Sequence, residues 1–181
     1  NVFEYLKNLG QNERKILRDL GVKFGRYHIF LHRLIKPEAV SLRTLLWKNY
    51  NQKYFDLKPP TFGLNFIDSK DHKNKNFMLL CGFEKFNNLY VRIDILERLF
   101  MQIINSNTEK DKEIKMIPEM LNLLGCSKDN FKELLKNMDY KVIEKNTEVF
   151  FKYVPKRNIK KDNKKTVKES PFGVLKNINF D

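Results

Sequence analysis

Between residues 23 and 43 the chain carries Lys23, Arg26, Arg33, Lys36 and Arg43, interleaved with aromatic residues such as Phe24 and Tyr27. Cations spaced in this way can neutralise successive phosphates while rings between them stack on bases, which is how surfaces that follow a nucleic-acid strand are built. Solvated basic residues scattered over an ordinary surface give the same pattern without any ligand. Tyr27, Trp47 and Tyr90 are the candidate stacking rings, and each such stack contributes about 1–3 kcal/mol per base. Trp47 lies in an amphipathic segment, so core packing is the first expectation for it.

Other reactive residues point to less. His28 and His32 are four apart, a metal-ligand spacing on a helix, but the local alternation reads as a strand and no Cys or acidic set completes a site. Glu84, Asp94 and Glu97 are expected to serve as turn, cap and surface charges rather than as an acid–base pair. None of the seven glycines has the G-x-x-x-x-G-K-[ST] spacing that cradles nucleotide phosphates. This sequence is therefore expected to hydrolyse no ATP by itself, to hold no metal or cofactor, and to be no enzyme.

The formal charge of +13 over 181 residues is the main compositional pointer to a partner, because lysines that bind a polyanion release its condensed counterions. Nine basic residues from Lys152 to the last position face only Asp162, Glu169 and Asp181, so +6 of the total lies there. A hydrophobic content of 41%, with 15 Phe and 7 Tyr, is enough for a folded core. Cys81 and Cys126 lie far apart in apolar surroundings and read as reduced thiols. With no apolar run near the roughly 20 residues of a membrane helix and no signal peptide, a soluble, cytoplasmic protein is expected.

These residues need elements to hold them. Phe3, Leu6, Leu9, Ile16, Leu17 and Leu20 have mostly helical spacing, broken near Gly10. Val22, Phe24, Tyr27, Ile29 and Leu31 suggest a strand pair or a bent strand, with Gly21 and Gly25 as turns. Pro37 suits the first residue of a helix, one whose buried side is expected to include Val40, Leu42, Leu45, Leu46 and Trp47, with Arg43 and Lys48 outward. Polar residues from Thr61 to Asn76 read as a surface connector. The apolar run Phe77 to Gly82 and the stretch Tyr90 to Ile93 read as strands sharing a small sheet.

Asp94 is placed to cap a helix with Glu97 reciprocating. Pro118 opens a short helix that Gly125 ends, Ser127 caps the next, and Tyr140, Val142, Val149, Phe150 and Tyr153 flank a hairpin tip at Glu144-Lys145-Asn146-Thr147. Helix, helix, helix, hairpin is the order of a winged helix. The helix after Gly125 mixes Lys128, Lys132 and Lys136 with Asp129 and Glu133, a poor face for reading a groove. The candidate phosphate contacts of this module are Lys132 and Lys136 on the helix and Lys141, Lys145 and Lys152 on the wing.

Several motifs in order carry a resemblance: LGVKFGRYHIFLHRLIKPEAVSLRTLLW (Leu20 to Trp47), VRIDILERL (Val91 to Leu99), MLNLLGCSKDNFKELLKNMDYKV (Met120 to Val142) and SPFGVLK (Ser170 to Lys176). Together they span nearly the whole chain. The chain resembles the C-terminal region of the large helicase-like proteins of alphaproteobacteria, relatives of the mitochondrial degradosome RNA helicase. His32 stands where those proteins usually have Pro, and Asp139 where they usually have Gly. The resemblance implies that this sequence belongs at the end of a longer polypeptide whose motor uses ATP and Mg²⁺.

The expected architecture is α+β: a small mixed α/β N-terminal module over residues 1–60, a loop with short strands over 61–90, a winged-helix-like module over 91–155, and a basic, largely disordered tail over 156–181. Lys156, Arg157, Lys160, Lys161, Lys164 and Lys165 make that tail a further candidate for phosphate contact. The expected function is that of a non-catalytic accessory region holding RNA or single-stranded nucleic acid beside the parent helicase core. The alternative is a protein-interaction module that recruits a nuclease or ribosomal partner. A stand-alone transcriptional regulator, the third reading, requires a dimerisation helix that the sequence does not display.

Overall fold

The computed structural model describes residues 6–52, 56–69, 74–106, 113–145 and 148–154. They form an α+β fold of helices and three small antiparallel sheets. The residues expected to form the tail, 156–181, lie outside the described residues, as do Phe3 and the wing-tip pair Asn146 and Thr147.

Helix α1 (Gln11–Asp19) begins where the Glu13 carboxylate accepts a hydrogen bond from the Gly10 amide at 2.8 Å. No residue of α1 is buried, and Ile16 and Leu20 are exposed. Its apolar spacing makes a stripe but not a core. The hairpin β1 (Val22–Phe24) and β2 (Ile29–Leu31) follows as expected, closed by the Gly25 amide donating to the His28 carbonyl at 2.8 Å. A 3-10 turn over His32–Ile35 then delivers Pro37 to the start of α2 (Pro37–Tyr50), where its missing N–H leaves no bond unmade.

The buried side of α2 is Val40 and Thr44, with Trp47 half-buried against Phe77 at 5.5 Å between ring centroids. Thr44 Oγ1 donates to the Val40 carbonyl at 2.9 Å, so its hydroxyl is buried without loss. Leu42, Leu45 and Leu46, expected on the buried side, are instead 57–61% exposed, and Arg43 is half-buried. The physical reason is that α2 meets the core and its neighbouring helix, α3 (Lys75–Leu80), through its Val40 and Trp47 side, which leaves these three leucines on the opposite, uncovered side.

That neighbour is itself a correction. The run Phe77 to Gly82 is expected as a strand but is mostly helix, capped by Asn74 Oδ1 accepting from the Phe77 amide at 3.1 Å. The strands lie beside it: β3 (Phe66–Asp68), β4 (Phe83–Phe86) and β5 (Leu89–Arg92), in the order β3-β5-β4. The polar Thr61–Asn76 connector thus contains a strand, β3, paired with β5.

The last part runs α4 (Ile93–Ser106), β6 (Ile114–Lys115), α5 (Pro118–Leu124), α6 (Lys128–Asn137), β7 (Tyr140–Lys145) and β8 (Glu148–Tyr153). Its sheet has the order β6-β8-β7, all antiparallel. The expected order of helix, helix, helix and hairpin is present, with the short strand β6 between the first two helices. Gly125 ends α5 in the left-handed conformation, φ 68°, and the Ser127 hydroxyl accepts from the Asn130 amide at 3.2 Å to start α6. Asp139 also adopts a left-handed φ, 66°. Asp is among the few residues that tolerate it.

Asp94 departs from its expected role. It lies inside the first turn of α4 and holds Arg92 in a two-pronged ion pair, 2.7 and 3.1 Å, while Glu97 reaches elsewhere.

Strand β5 joins two cores. Leu89 and Val91 on one face enter a core with Leu96, Leu99, Phe131, Leu134, Leu135 and Phe151, whereas Tyr90 on the other packs with Val40, Phe77, Met78, Cys81 and Phe83. A boundary drawn between residues 90 and 91 falls within this strand. Among the described residues no helix is long and apolar enough to cross a membrane.

Candidate nucleic-acid interface

The hairpin β1–β2 is clipped to α4 by one carboxylate. Glu97 Oε1 accepts from the amides of Tyr27 at 2.8 Å and His28 at 3.0 Å, and Oε2 accepts from the amide of Arg26 at 2.7 Å. Three successive backbone N–H groups converging on one acceptor form a ready-made anion cradle. Gly25 permits the approach: a Cβ there would lie 2.2 Å from the Glu97 carboxyl carbon.

Beside this clip, hairpin and helix enclose a cleft of about 540 Å³. Phe24 and Phe30 line it from the hairpin, Phe100 and Met101 from α4, and Lys23, Arg26 and Arg98 supply cations. Arg26 lies over the Phe100 ring, 5.3 Å from its centroid, a contact that holds the guanidinium beside an aromatic wall. The two carboxylates in the lining, Asp94 and Glu97, are already engaged by Arg92 and by the hairpin amides. Arg92 offsets Asp94, and Lys23, Arg26 and Arg98 outnumber the Glu97 carboxylate, so the lining is net positive.

A second cleft shares Arg26 and Phe100 and continues toward the wing, where Tyr27, Tyr140 and Tyr153 line it. Burial pushes the Tyr27 hydroxyl up to about 12, with Tyr140 reinforcing the shift and Arg26 opposing it. Tyr140 is raised for the same first reason, against Arg26. Both therefore remain neutral hydrogen-bonding groups at physiological pH.

The other expected contacts are placed differently. Arg33 and Lys36 are exposed on the 3-10 turn and at the start of α2, and Arg43 donates to the Leu34 carbonyl at 3.1 Å, lining a third, mostly apolar cleft. In the winged part, Lys132 pairs with Glu144 at 2.8 Å and Asp129 at 3.5 Å; the Glu144 hydrogen bond raises the ammonium and Lys132 lowers the carboxyl in return. Lys145 pairs with Glu113 at 2.5 Å and lies over the Phe150 ring. Lys115, not anticipated, pairs with Glu148. Lys136 and Lys141 are exposed, and Lys141 stands directly across the hairpin from Lys152. Lys156, Arg157, Lys160, Lys161, Lys164 and Lys165 lie outside the described residues.

Helix α6 is further tied to the middle sheet. Asn137 Oδ1 accepts from Asn87 Nδ2 at 2.7 Å, and Asn130 Nδ2 donates to Asp68 Oδ2 at 3.1 Å. Of the three candidate stacking rings, Tyr90 is fully buried, Trp47 packs in the core and Tyr27 is half-buried at the second cleft.

Arg98, Phe100 and Met101 line the first cleft and are not among the candidate contacts read from the sequence. Arg98 and Met101 are three apart on α4, about one turn, but only the docked hairpin gives that spacing meaning. His28 does not approach a metal site; its Nε2 is 2.7 Å from Glu84 Oε2. Among the described residues no group of three or more His, Cys, Asp or Glu side chains is placed to hold a metal ion. Burial pushes the thiols of Cys81 and Cys126 each up to about 11, and both are free.

Burial raises the Glu84 carboxyl, but the hydrogen bond and charge of His28, with Lys75 nearby, outweigh it and hold the group below its usual range. A lowered folded pKa contributes stability above the ordinary value of about 4.3, and that contribution is lost as pH falls through the folded value. Glu84→Gln should therefore cost about 1–2 kcal/mol at pH 7, a difference that shrinks toward zero in urea titrations repeated below pH 4. An unchanged gap at low pH would contradict this account.

Compared with family models, curated proteins and solved structures, the chain shows no match.

Proposed function

We propose that this chain is a non-catalytic grip for RNA or single-stranded nucleic acid, acting as the accessory C-terminal region of an ATP-dependent, cytoplasmic helicase. The helicase link rests on the motifs from Leu20 to Trp47, Val91 to Leu99, Met120 to Val142 and Ser170 to Lys176. ATP and Mg²⁺ belong to the parent motor in this reading. The observation that carries the binding role is the first cleft: Lys23, Arg26 and Arg98 converge on aromatic walls, and the carboxylates among them are already engaged by internal partners. Lys132 and Lys145, by contrast, already face carboxylates at 2.8 and 2.5 Å.

Fluorescence polarisation with a labelled oligouridine at rising salt tests this. Affinity should fall linearly on logarithmic axes, by about 0.7 per phosphate neutralised on a single strand. A Lys23→Ala, Arg26→Ala, Arg98→Ala triple variant should weaken binding by tenfold or more and flatten the slope, whereas Lys132→Ala should change affinity less than about twofold. Failure to bind RNA or DNA at low salt would overturn the proposal.

The alternative reading, a module that recruits a nuclease or ribosomal protein, draws on one observation: Leu42, Leu45 and Leu46 form an exposed apolar stripe on α2 beside Tyr50, which is 89% exposed. Contiguous apolar surface of this kind marks interaction sites in other proteins. Under that reading a Leu45→Lys, Leu46→Lys variant loses protein capture while its oligouridine affinity is unchanged.

A further inference from the structure

We propose that the cleft between the β1–β2 hairpin and α4 takes a single unstacked base from a strand, with the base against Phe24, Phe30 and Phe100 and the flanking phosphates on Lys23 and Arg98. This rests on the nucleic-acid reading above and goes beyond it by assigning the place and the manner of contact.

Four observations support the assignment. The first is shape: the cleft, about 540 Å³, has aromatic residues on both walls, two from the hairpin and one from the helix, and a planar ring entering between them gains stacking on a π-face common to every base. The second is charge. Lys23 and Arg98 belong to opposite walls, so a strand crossing the cleft meets a cation before and after the inserted base. Arg26, over Phe100, adds a guanidinium that can face a base or a phosphate.

The third is rigidity. The hairpin wall cannot drift from α4 while Glu97 holds the Arg26, Tyr27 and His28 amides at 2.7–3.0 Å, so the gap is preformed and little ordering is required on binding. The fourth is an unmet hydrogen bond. Gln102 is on the cleft lining, and its Oε1 is buried without a hydrogen-bond partner among the described residues. A base N–H, such as the imino N3–H of thymine or an exocyclic amine, is the type of donor that would satisfy it.

A duplex does not fit this description, because its bases are already stacked and paired. Base insertion must be preceded or accompanied by strand separation, which a single strand has already undergone.

The test compares two oligonucleotides of equal length and charge, an octathymidylate and its counterpart with abasic sugars throughout, against the 181-residue chain. Every purely ionic contribution, including that of the basic residues beyond Val154, is nearly the same for both. The thymidine strand should bind roughly fivefold to a hundredfold more tightly, the range that one stacked base contributes. Phe100→Leu and Phe30→Leu keep apolar volume but remove the ring, and each should bring the ratio close to one while both oligonucleotides still bind. Equal binding of the two strands by the unaltered protein, or a ratio that survives in both variants, would overturn base insertion and leave the ionic grip standing. Absence of binding by either strand at low salt would instead remove the nucleic-acid reading itself.

Discussion

Glu97→Ala should destabilise the protein by about 3–5 kcal/mol, estimated from three charge-assisted hydrogen bonds of about 1.5–3 kcal/mol each, reduced because water can replace part of them. The Arg26 residue is exposed, so its amide recovers a water partner easily; Tyr27 and His28 are half-buried, and their amides recover less. Glu97→Gln retains one strong acceptor and should lose about half as much. Gly25→Ala acts on the same carboxylate from the other side, since its Cβ would stand 2.2 Å from the carboxyl carbon and 2.5–2.6 Å from the two oxygens. The two changes should therefore be strongly non-additive: in the Glu97→Ala background, Gly25→Ala should add less than about 1 kcal/mol. Urea unfolding of the four proteins measures the cycle. A Glu97→Ala variant within 0.5 kcal/mol of the parent, on the order of a neutral surface change, would show that the hairpin is held by its apolar contacts instead.

The second large effect belongs to Phe151→Ala, expected to cost about 3–5 kcal/mol. Phe151 is fully buried on β8, the middle strand of the β6-β8-β7 sheet, and meets Phe131 at 6.3 Å and Tyr140 at 5.6 Å in edge-to-face geometry. Truncation removes two aromatic contacts and leaves a void among residues that have no room to move. The sole tryptophan, Trp47, reports on the other core. Because β5 contributes Leu89 and Val91 to one core and Tyr90 to the other, Trp47 emission should follow the same urea midpoint as far-ultraviolet circular dichroism in both the parent and the variant. Two separated transitions would mean that β5 does not couple the halves.

What could be read from the sequence follows a physical divide between local and distant causes. Helices α5 and α6, their Gly125 stop and Ser127 cap, and the hairpin after them are legible because each signal lies within four residues of the bond it creates. The hairpin at Gly25 is legible for the same reason. Strand β3 is not: Phe66, Ile67 and Asp68 carry little alternation of their own and are strand because Val91, Tyr90 and Leu89 stand opposite. The Phe77–Leu80 run fails as a strand because a four-residue apolar segment has no period to distinguish the two forms, and the Asn74 cap decides it. On α2 the periodicity identifies Leu42, Leu45 and Leu46 as apolar but cannot say whether a neighbour exists to cover them. The candidate site divides likewise. Lys23 and Arg26 were visible as basic residues among aromatics, whereas Arg98 joins them only through a docking of hairpin on helix whose key contact spans about seventy positions, from Tyr27 to Glu97.

The two asparagine bridges on α6 set an order of events for any double helix presented to it. Amides such as Asn130 and Asn137 are the side chains that recognise adenine edges in a major groove, and both are bonded to the middle sheet through Asp68 and Asn87. Presenting these amides to a groove would first require the protein to break its own bonds to the middle sheet, so a helix that looks built to decipher letters is braced here as an internal strut.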